Sequence, residues 1–112
     1  MKNLLVTFFI ITSTVLSQDF PSGLVVVEFN ASFNKTNEVK WLPELTDCEV
    51  QRVDIAADSR WASEYKIVVV PTLVVFNNNE ESKRFQANIM MTMEATRKEV
   101  QESVDEITME AF

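Results

Sequence analysis

The chain of 112 residues has no histidine and a single cysteine, Cys48. Without histidine, Ser-His nucleophile–base pairs and His-ligated metal sites are excluded. With one cysteine, no intramolecular disulfide forms, and zinc sites of the four-Cys or Cys/His kind are impossible. Glycine occurs once and proline three times, which excludes collagen-like and low-complexity chains. Positive charge is scarce: 10 Lys+Arg stand against 17 Asp+Glu, a net charge of −7. Such a chain lacks the cationic footprint that holds a nucleic-acid backbone. No nucleic acid, no metal and no cofactor are therefore expected. The 46% of hydrophobic residues suffices for the core of one small domain.

The first residues read as a targeting segment. Lys2 gives a short positive start, and Leu4 to Val15 is mostly apolar, interrupted by Thr7, Thr12, Ser13 and Thr14. Val15-Leu16-Ser17 places Val15 and Ser17 at the −3 and −1 positions of a cleavage site before Gln18. This is the pattern of a secretory signal peptide over residues 1–17, with the domain over 18–112. The apolar run falls short of the ~20 residues that span a bilayer, so a membrane enters only if the segment is retained. The expected location is secreted or periplasmic.

Beyond it, strands and helices alternate. Leu24 to Val27 is a β-branched run entering Glu28-Phe29-Asn30, which suits a central strand covered on both faces. Val39, Leu42 and Leu45 recur at helical spacing beside Trp41, predicting a helix of about 10 residues, irregular near Pro43. Val50 to Ile55 reads as a second strand. Asp58 serves as N-cap for a short helix carrying Trp61, Ala62 and Tyr65. Thr72 to Phe76 is a third strand, started by Pro71, and Asn77-Asn78-Asn79 is a hairpin turn, because asparagine tolerates positive φ. Glu81 to Ala87 returns as a fourth strand. Thr96 and Glu99 form a capping box for a helix with the stripe Val100, Val104 and Ile107. The order is βαβαββα, an α/β domain with a four-stranded mixed sheet flanked by helices.

Together these segments resemble thioredoxin over Val25 to Ala87. Val27-Glu28-Phe29-Asn30-Ala31-Ser32-Phe33 is similar to the strand and turn leading to that family's active site, and Val53-Asp54-Ile55 to its next core strand. Ala62 to Ile67, then Val68-Val69-Val70-Pro71-Thr72-Leu73, resemble its helix, loop and proline-led strand; Phe76 to Glu80 resembles its hairpin. The family's first strand and helix have no counterpart, and the short segment between Asn37 and Val53 implies a truncated active-site helix.

The resemblance places the family's CxxC motif on Asn34-Lys35-Thr36-Asn37. Dithiol chemistry needs two thiols at a helix N-terminus, where the dipole lowers the pKa of the first and the second resolves the mixed disulfide. Asn34 and Asn37 do neither. As a good N-cap, Asn34 is expected to replace the thiolate structurally. Glu28 falls on the family's buried acid and Arg52 on a basic neighbour, so a buried Glu28–Arg52 pair is expected, since an unpaired carboxylate is costly to bury. Residual proton chemistry at Glu28 and an exposed Glu28 are the other readings. Pro71 resembles the family's cis-proline, whose preceding residue, here Val70, pairs with substrate backbone. Phe33, Val69, Val70, Pro71 and Ala87 would then form a shallow peptide groove. A proline kept only for the bend it gives the chain is the other reading.

The remaining features carry blander expectations. Cys48 reads as a half-buried inert thiol, with an intermolecular disulfide as its other possibility. Asn30-Ala31-Ser32 and Asn34-Lys35-Thr36 match the glycosylation sequon, a pattern that is common by chance. Met90, Met91 and Met93 read as loop packing against the core, and Glu99, Glu102, Asp105, Glu106 and Glu110 as a solvated helix face. The function these readings imply is an exported thioredoxin-like domain without dithiol activity, binding an extended peptide or partner protein or assisting folding. The alternatives are a thiol oxidoreductase working through Cys48 alone and a structural domain with a vestigial groove.

Overall fold

The computed structural model describes residues 19–110; the expected signal segment 1–17 and its cleavage site lie outside the described residues. The elements are β1 (Leu24–Asn30), two 3-10 turns (Ser32–Asn37 and Leu42–Glu44), β2 (Glu49–Asp54), α1 (Arg60–Tyr65), β3 (Thr72–Asn77), β4 (Glu80–Gln86) and α2 (Arg97–Glu110). The strands form one mixed sheet in the order β2-β1-β3-β4. β1 runs parallel to β2 and antiparallel to β3, and β3 runs antiparallel to β4.

β1 lies second in the sheet, and its six residues from Val25 to Asn30 are all buried, as a strand covered on both faces requires. The period of two splits it. Val25, Val27 and Phe29 join Val74 and Phe76 in one core, covered by Phe20, Ile67 and Val70 and flanked by Trp61 and Tyr65 of α1. Val26 joins Leu73 and Val75 in the other, covered by Val39, Leu42, Leu45 and the Val100–Val104 stripe of α2. Helical layers thus cover both faces of the sheet.

Local signals explain most boundaries. The hairpin between β3 and β4 turns on Asn78 and Asn79, with φ of 53° and 64°, as a two-residue turn of type I′ demands. Asn77 belongs to the strand before it. α2 opens on the capping box: Thr96 N–H donates to Glu99 Oε1 at 2.8 Å, and Glu99 N–H donates to Thr96 Oγ1 at 3.2 Å. Ser59, rather than Asp58, occupies the N-cap position of α1; Asp58 Oδ1 accepts the Arg60 N–H at 3.0 Å from one residue further back. Lys66 (φ 54°) turns left-handed and ends α1 after six residues. No helix of the described residues is long and apolar enough to cross a membrane.

The expected helix around Val39, Leu42 and Leu45 does not form; two short 3-10 turns take its place. The reason is a competition for backbone groups. Val39 N–H donates to Glu28 Oε2 at 2.7 Å, and Val39 C=O accepts Arg52 Nη2 at 2.6 Å. The Val39 N–H is thereby withdrawn from a helical ladder, and its C=O is shared with the Leu42 N–H at 3.3 Å in a 3-10 bond. Glu38 is extended (ψ 153°), and Pro43 has no N–H to give to Val39 C=O as an α-helix would require. Val39, Leu42 and Leu45 still reach the core.

Phe20 fills the N-terminal flank. Its ring lies 5.0 Å from Phe76 and 5.7 Å from both Trp61 and Tyr65, centroid to centroid. The Asn79 side chain clips its backbone, accepting Phe20 N–H at 3.0 Å and donating to Phe20 C=O at 2.7 Å.

Candidate functional site

The turn that leaves β1 carries Asn34 and Asn37 into the 3-10 segment. Asn34 does not cap a helix, because no α-helix follows it. Its side chain is turned inward, and the residue is 3% exposed. The Asn34 amide donates to Asn30 Oδ1 at 3.2 Å and to Met91 C=O at 3.1 Å, with a longer approach to Val70 C=O at 3.5 Å. Its own Oδ1 accepts Asn37 Nδ2 at 2.8 Å. Asn30 Nδ2 in turn donates to Asn34 C=O at 3.3 Å. Three asparagines therefore form one chain of hydrogen bonds joining the end of β1 to the loop after β4. Every buried amide has a partner, as burial of such groups requires. Asn30 and Asn34, the acceptors of the two sequons, have their side chains occupied within this network.

Glu28, one residue before Phe29 on β1, faces the α2 side and is 1% exposed. Register sets it directly opposite Arg52 of β2, and Arg52 Nε donates to Glu28 Oε1 at 2.8 Å. Glu38 lies 3.6 Å from the same guanidinium. Burial pushes the Glu28 carboxyl up; the Val39 N–H and Arg52 bonds oppose that rise, and the Glu38 charge adds to it. The group is committed to structure, since its oxygens hold the Val39 N–H and Arg52. Beside it lies a concavity of about 230 Å³, lined by Glu28, Glu38, Arg52 and Asp54 and walled by Ala31, Ser32 and Lys35 of the turn.

On the other side of that turn is an apolar groove of about 310 Å³. Ile67 and Val70 are buried in its floor, while Phe33, Val68 and Ile89 stand on its rim at 73%, 76% and 95% exposure. Ile55, Val69, Met91 and Asn88 complete the lining. Of the residues expected here, Phe33, Val69 and Val70 line the groove. Pro71 and Ala87 do not: Pro71 is buried, and Ala87 N–H donates to Pro71 C=O at 3.1 Å, which turns these two backbones toward each other. The Val70–Pro71 peptide bond is cis.

Val68, Ile89 and Met91 were not among the expected groove residues. The signal for the last two was the run Ile89-Met90-Met91, three apolar residues past the end of a strand, with neither helical spacing nor alternation to bury them. The expectation that this methionine cluster packs inward holds for Met93 alone, which lies against the α2-side core; Met90 and Met91 are exposed. The reason is the turn built on Asn88, whose Oδ1 accepts Met90 N–H at 2.9 Å, Thr92 N–H at 3.1 Å and Thr92 Oγ1 at 3.0 Å. With Met91 at φ 61°, this turn projects the residues outward.

Cys48 sits before β2 on the opposite, α2-facing side, half-buried and free of any disulfide. Burial, Asp47 and Asp105 all push its thiol up, the reverse of what a nucleophilic thiolate needs. Among the described residues, no group of three or more His, Cys, Asp or Glu side chains is placed to hold a metal ion.

No family model matches the chain, and no curated protein matches it. Solved structures do. A point-mutant thioredoxin from Halobacterium salinarum superposes with a TM-score of 0.61 at 23% identity, over 76% of this chain and 74% of that one. Thioredoxin from Schistosoma mansoni superposes with a TM-score of 0.60 at 24% identity, over 79% and 80% of the two chains. Thioredoxin from Fasciola hepatica gives 0.55 at 21% identity, over 76% and 81%. With its mixed four-stranded sheet between helical layers, and with one cysteine in the whole sequence, this chain has a thioredoxin-like fold.

Proposed function

We propose that this domain is a binding module without dithiol redox activity, holding an extended apolar segment of a partner protein in the groove between Phe33, Val68 and Ile89. The observation that carries the reading is the exposure of these three large side chains around one concavity. Clustered apolar exposure of this kind marks a contact surface rather than a scatter of single residues. The dithiol half of the reading rests on composition: Asn34 and Asn37 stand where the resemblance puts thiols, and both amides are used in holding the turn. Catalysis through Cys48 finds no support, because its surroundings favour the neutral thiol. Export before action remains part of the proposal, carried by the N-terminal apolar segment.

Two measurements test the reading. Fluorescence of a hydrophobic dye should rise with wild-type protein and fall back with Val68→Asp or Ile89→Asp, both at exposed positions where folding is unaffected. An insulin-reduction assay should stay at the uncatalysed rate for wild type and for Cys48→Ser alike. Dye binding unchanged in both groove variants overturns the binding half. Reduction that disappears in Cys48→Ser overturns the other half in favour of a single-thiol oxidoreductase.

A further inference from the structure

Of the chain's 5 methionines, Met90, Met91, Met93 and Met109 lie among the described residues, and the fold gives them different surroundings. Met93 packs against the α2-side core. Met109 is exposed on the last turn of α2, away from the groove. Met90 and Met91 are exposed on the loop after β4, and Met91 alone of the four lines the groove. Its thioether is the one sulfur of a lining made otherwise of Phe, Ile and Val side chains and Asn88. Asn88, the one polar side chain there, is committed to its own turn: Oδ1 accepts from Met90 and Thr92, and Nδ2 donates to Glu94 Oε2 at 2.9 Å. The Met91 N–H donates to Asn88 C=O at 2.9 Å, and the Met91 C=O accepts the Asn34 amide at 3.1 Å. These bonds use backbone atoms of Met91, so a change at its sulfur alters the groove without releasing the turn.

Resting on the binding reading above, we propose that Met91 is an oxidation site through which hydrogen peroxide weakens the hold of the groove on its apolar partner. The Met91 Sδ lone pair attacks one peroxide oxygen. The O–O bond breaks and an S–O bond forms. Sulfur gives up two electrons, and the proton of the attacked oxygen passes to the departing one, which leaves as water. The product is methionine sulfoxide, polar where the thioether was apolar. An apolar segment seated in the groove strips water from the sulfoxide oxygen, and the one side-chain amide of the lining is already turned to Glu94. A buried acceptor without a partner opposes binding. Reduction by a dithiol releases the oxygen as water, leaves the reductant as a disulfide and returns the thioether, so the change is reversible. Met90 and Met109 are open to the same oxidation, but neither lines the groove.

The test treats the protein with hydrogen peroxide, removes the oxidant and titrates the hydrophobic dye Nile red. Peptide mass spectrometry reads the sulfoxide at each methionine. Oxidation should reach Met90, Met91 and Met109 ahead of Met93. Dye affinity should fall about 10-fold in step with oxidation of Met91, with the far-UV circular dichroism unchanged. Met91→Leu, compared with itself before and after peroxide, should change by less than about 2-fold, whereas Met109→Leu should lose affinity as wild type does. Methionine sulfoxide reductases with dithiothreitol should return the wild-type affinity. Wild-type protein that is oxidised at Met91 and keeps its affinity overturns the proposal, provided that Val68→Asp removes dye binding; the groove reading then stands. A loss in Met91→Leu as large as that of wild type also overturns it, placing the sensitive group elsewhere. Dye binding that neither Val68→Asp nor Ile89→Asp alters overturns the groove reading itself, and this proposal with it.

Discussion

Glu28 and Arg52 are register partners on adjacent parallel strands, and between them they hold both polar groups of Val39, the N–H on the carboxylate and the C=O on the guanidinium. The pair thus fixes the course of the chain after the site as well as neutralising a buried acid. Glu28→Ala leaves the Val39 N–H and the inward side of Arg52 without an acceptor. The expected loss is about 3 kcal/mol of folding stability, read by urea denaturation. Glu28→Gln, which keeps an acceptor for Val39, should lose less than half as much. Equal losses would show that charge alone matters there.

The same carboxyl sets a pH dependence. Its pKa in the folded protein is raised above the usual 4.5, with burial as the leading cause. A folded state that holds the proton more tightly gains stability where Glu28 is protonated. That contribution is complete below pH 4.5 and is lost as pH rises through the raised folded value. Glu81 has the opposite sign, since Arg84 holds its pKa below the usual value; its contribution is present above pH 4.5 and lost below it. Subtracting the Glu28→Gln melting curve from the wild-type curve at each pH isolates the first effect. The difference should favour wild type most at the acidic end and decline from pH 4.5 upward. A difference that grows with pH would mean that the ionised pair is the stabilising form.

Two cysteines placed at Asn34 and Asn37 should not bring dithiol chemistry with them. Only a kinked 3-10 turn follows Asn34, whose own φ and ψ are −112° and 23°. A helix dipole to lower a thiol pKa is therefore missing. In the double variant Asn34→Cys, Asn37→Cys the first thiol should alkylate with a pKa near the free value of about 8.5, and insulin reduction should remain slow. A thiol titrating below pH 7, with far-UV circular dichroism confirming a folded chain, would show that the turn itself activates thiolates.

Phe20 closes the core from outside the sheet, in contact with four other aromatic rings. Phe20→Ala should cost about 3–5 kcal/mol, while Asn79 continues to clip the backbone. Chemical denaturation followed by Trp61 fluorescence reads the loss directly, because the indole stacks on that ring. A loss under about 1 kcal/mol would place Phe20 at the margin of the core instead.

Much of the fold was legible in the residues, because the signals were local. A run of valines, an asparagine pair able to adopt positive φ, and a Thr-x-x-Glu box each depend on the chain's own neighbouring atoms. They set β1, the hairpin and the start of α2 to within a residue or two. The Glu28–Arg52 juxtaposition came instead through likeness to a known family, since no local rule names a partner on another strand.

What the sequence by itself determined is the chemistry excluded, through the absence of histidine and the solitary Cys48, and the alternation that builds the sheet. Only the tertiary structure decided three things. The apolar spacing at Val39, Leu42 and Leu45 does not become an α-helix, because Glu28 takes the Val39 N–H and Pro43 has no N–H to give to the Val39 carbonyl. Asn34 does not cap, because no α-helix follows it and its Oδ1 accepts the Asn37 amide while its own amide binds the Met91 carbonyl. Ile89 and Met90 face solvent, because Asn88 folds that loop on itself. Each outcome turns on a hydrogen bond that the linear order of residues does not specify, and local propensity yields wherever such a bond competes for the same backbone group.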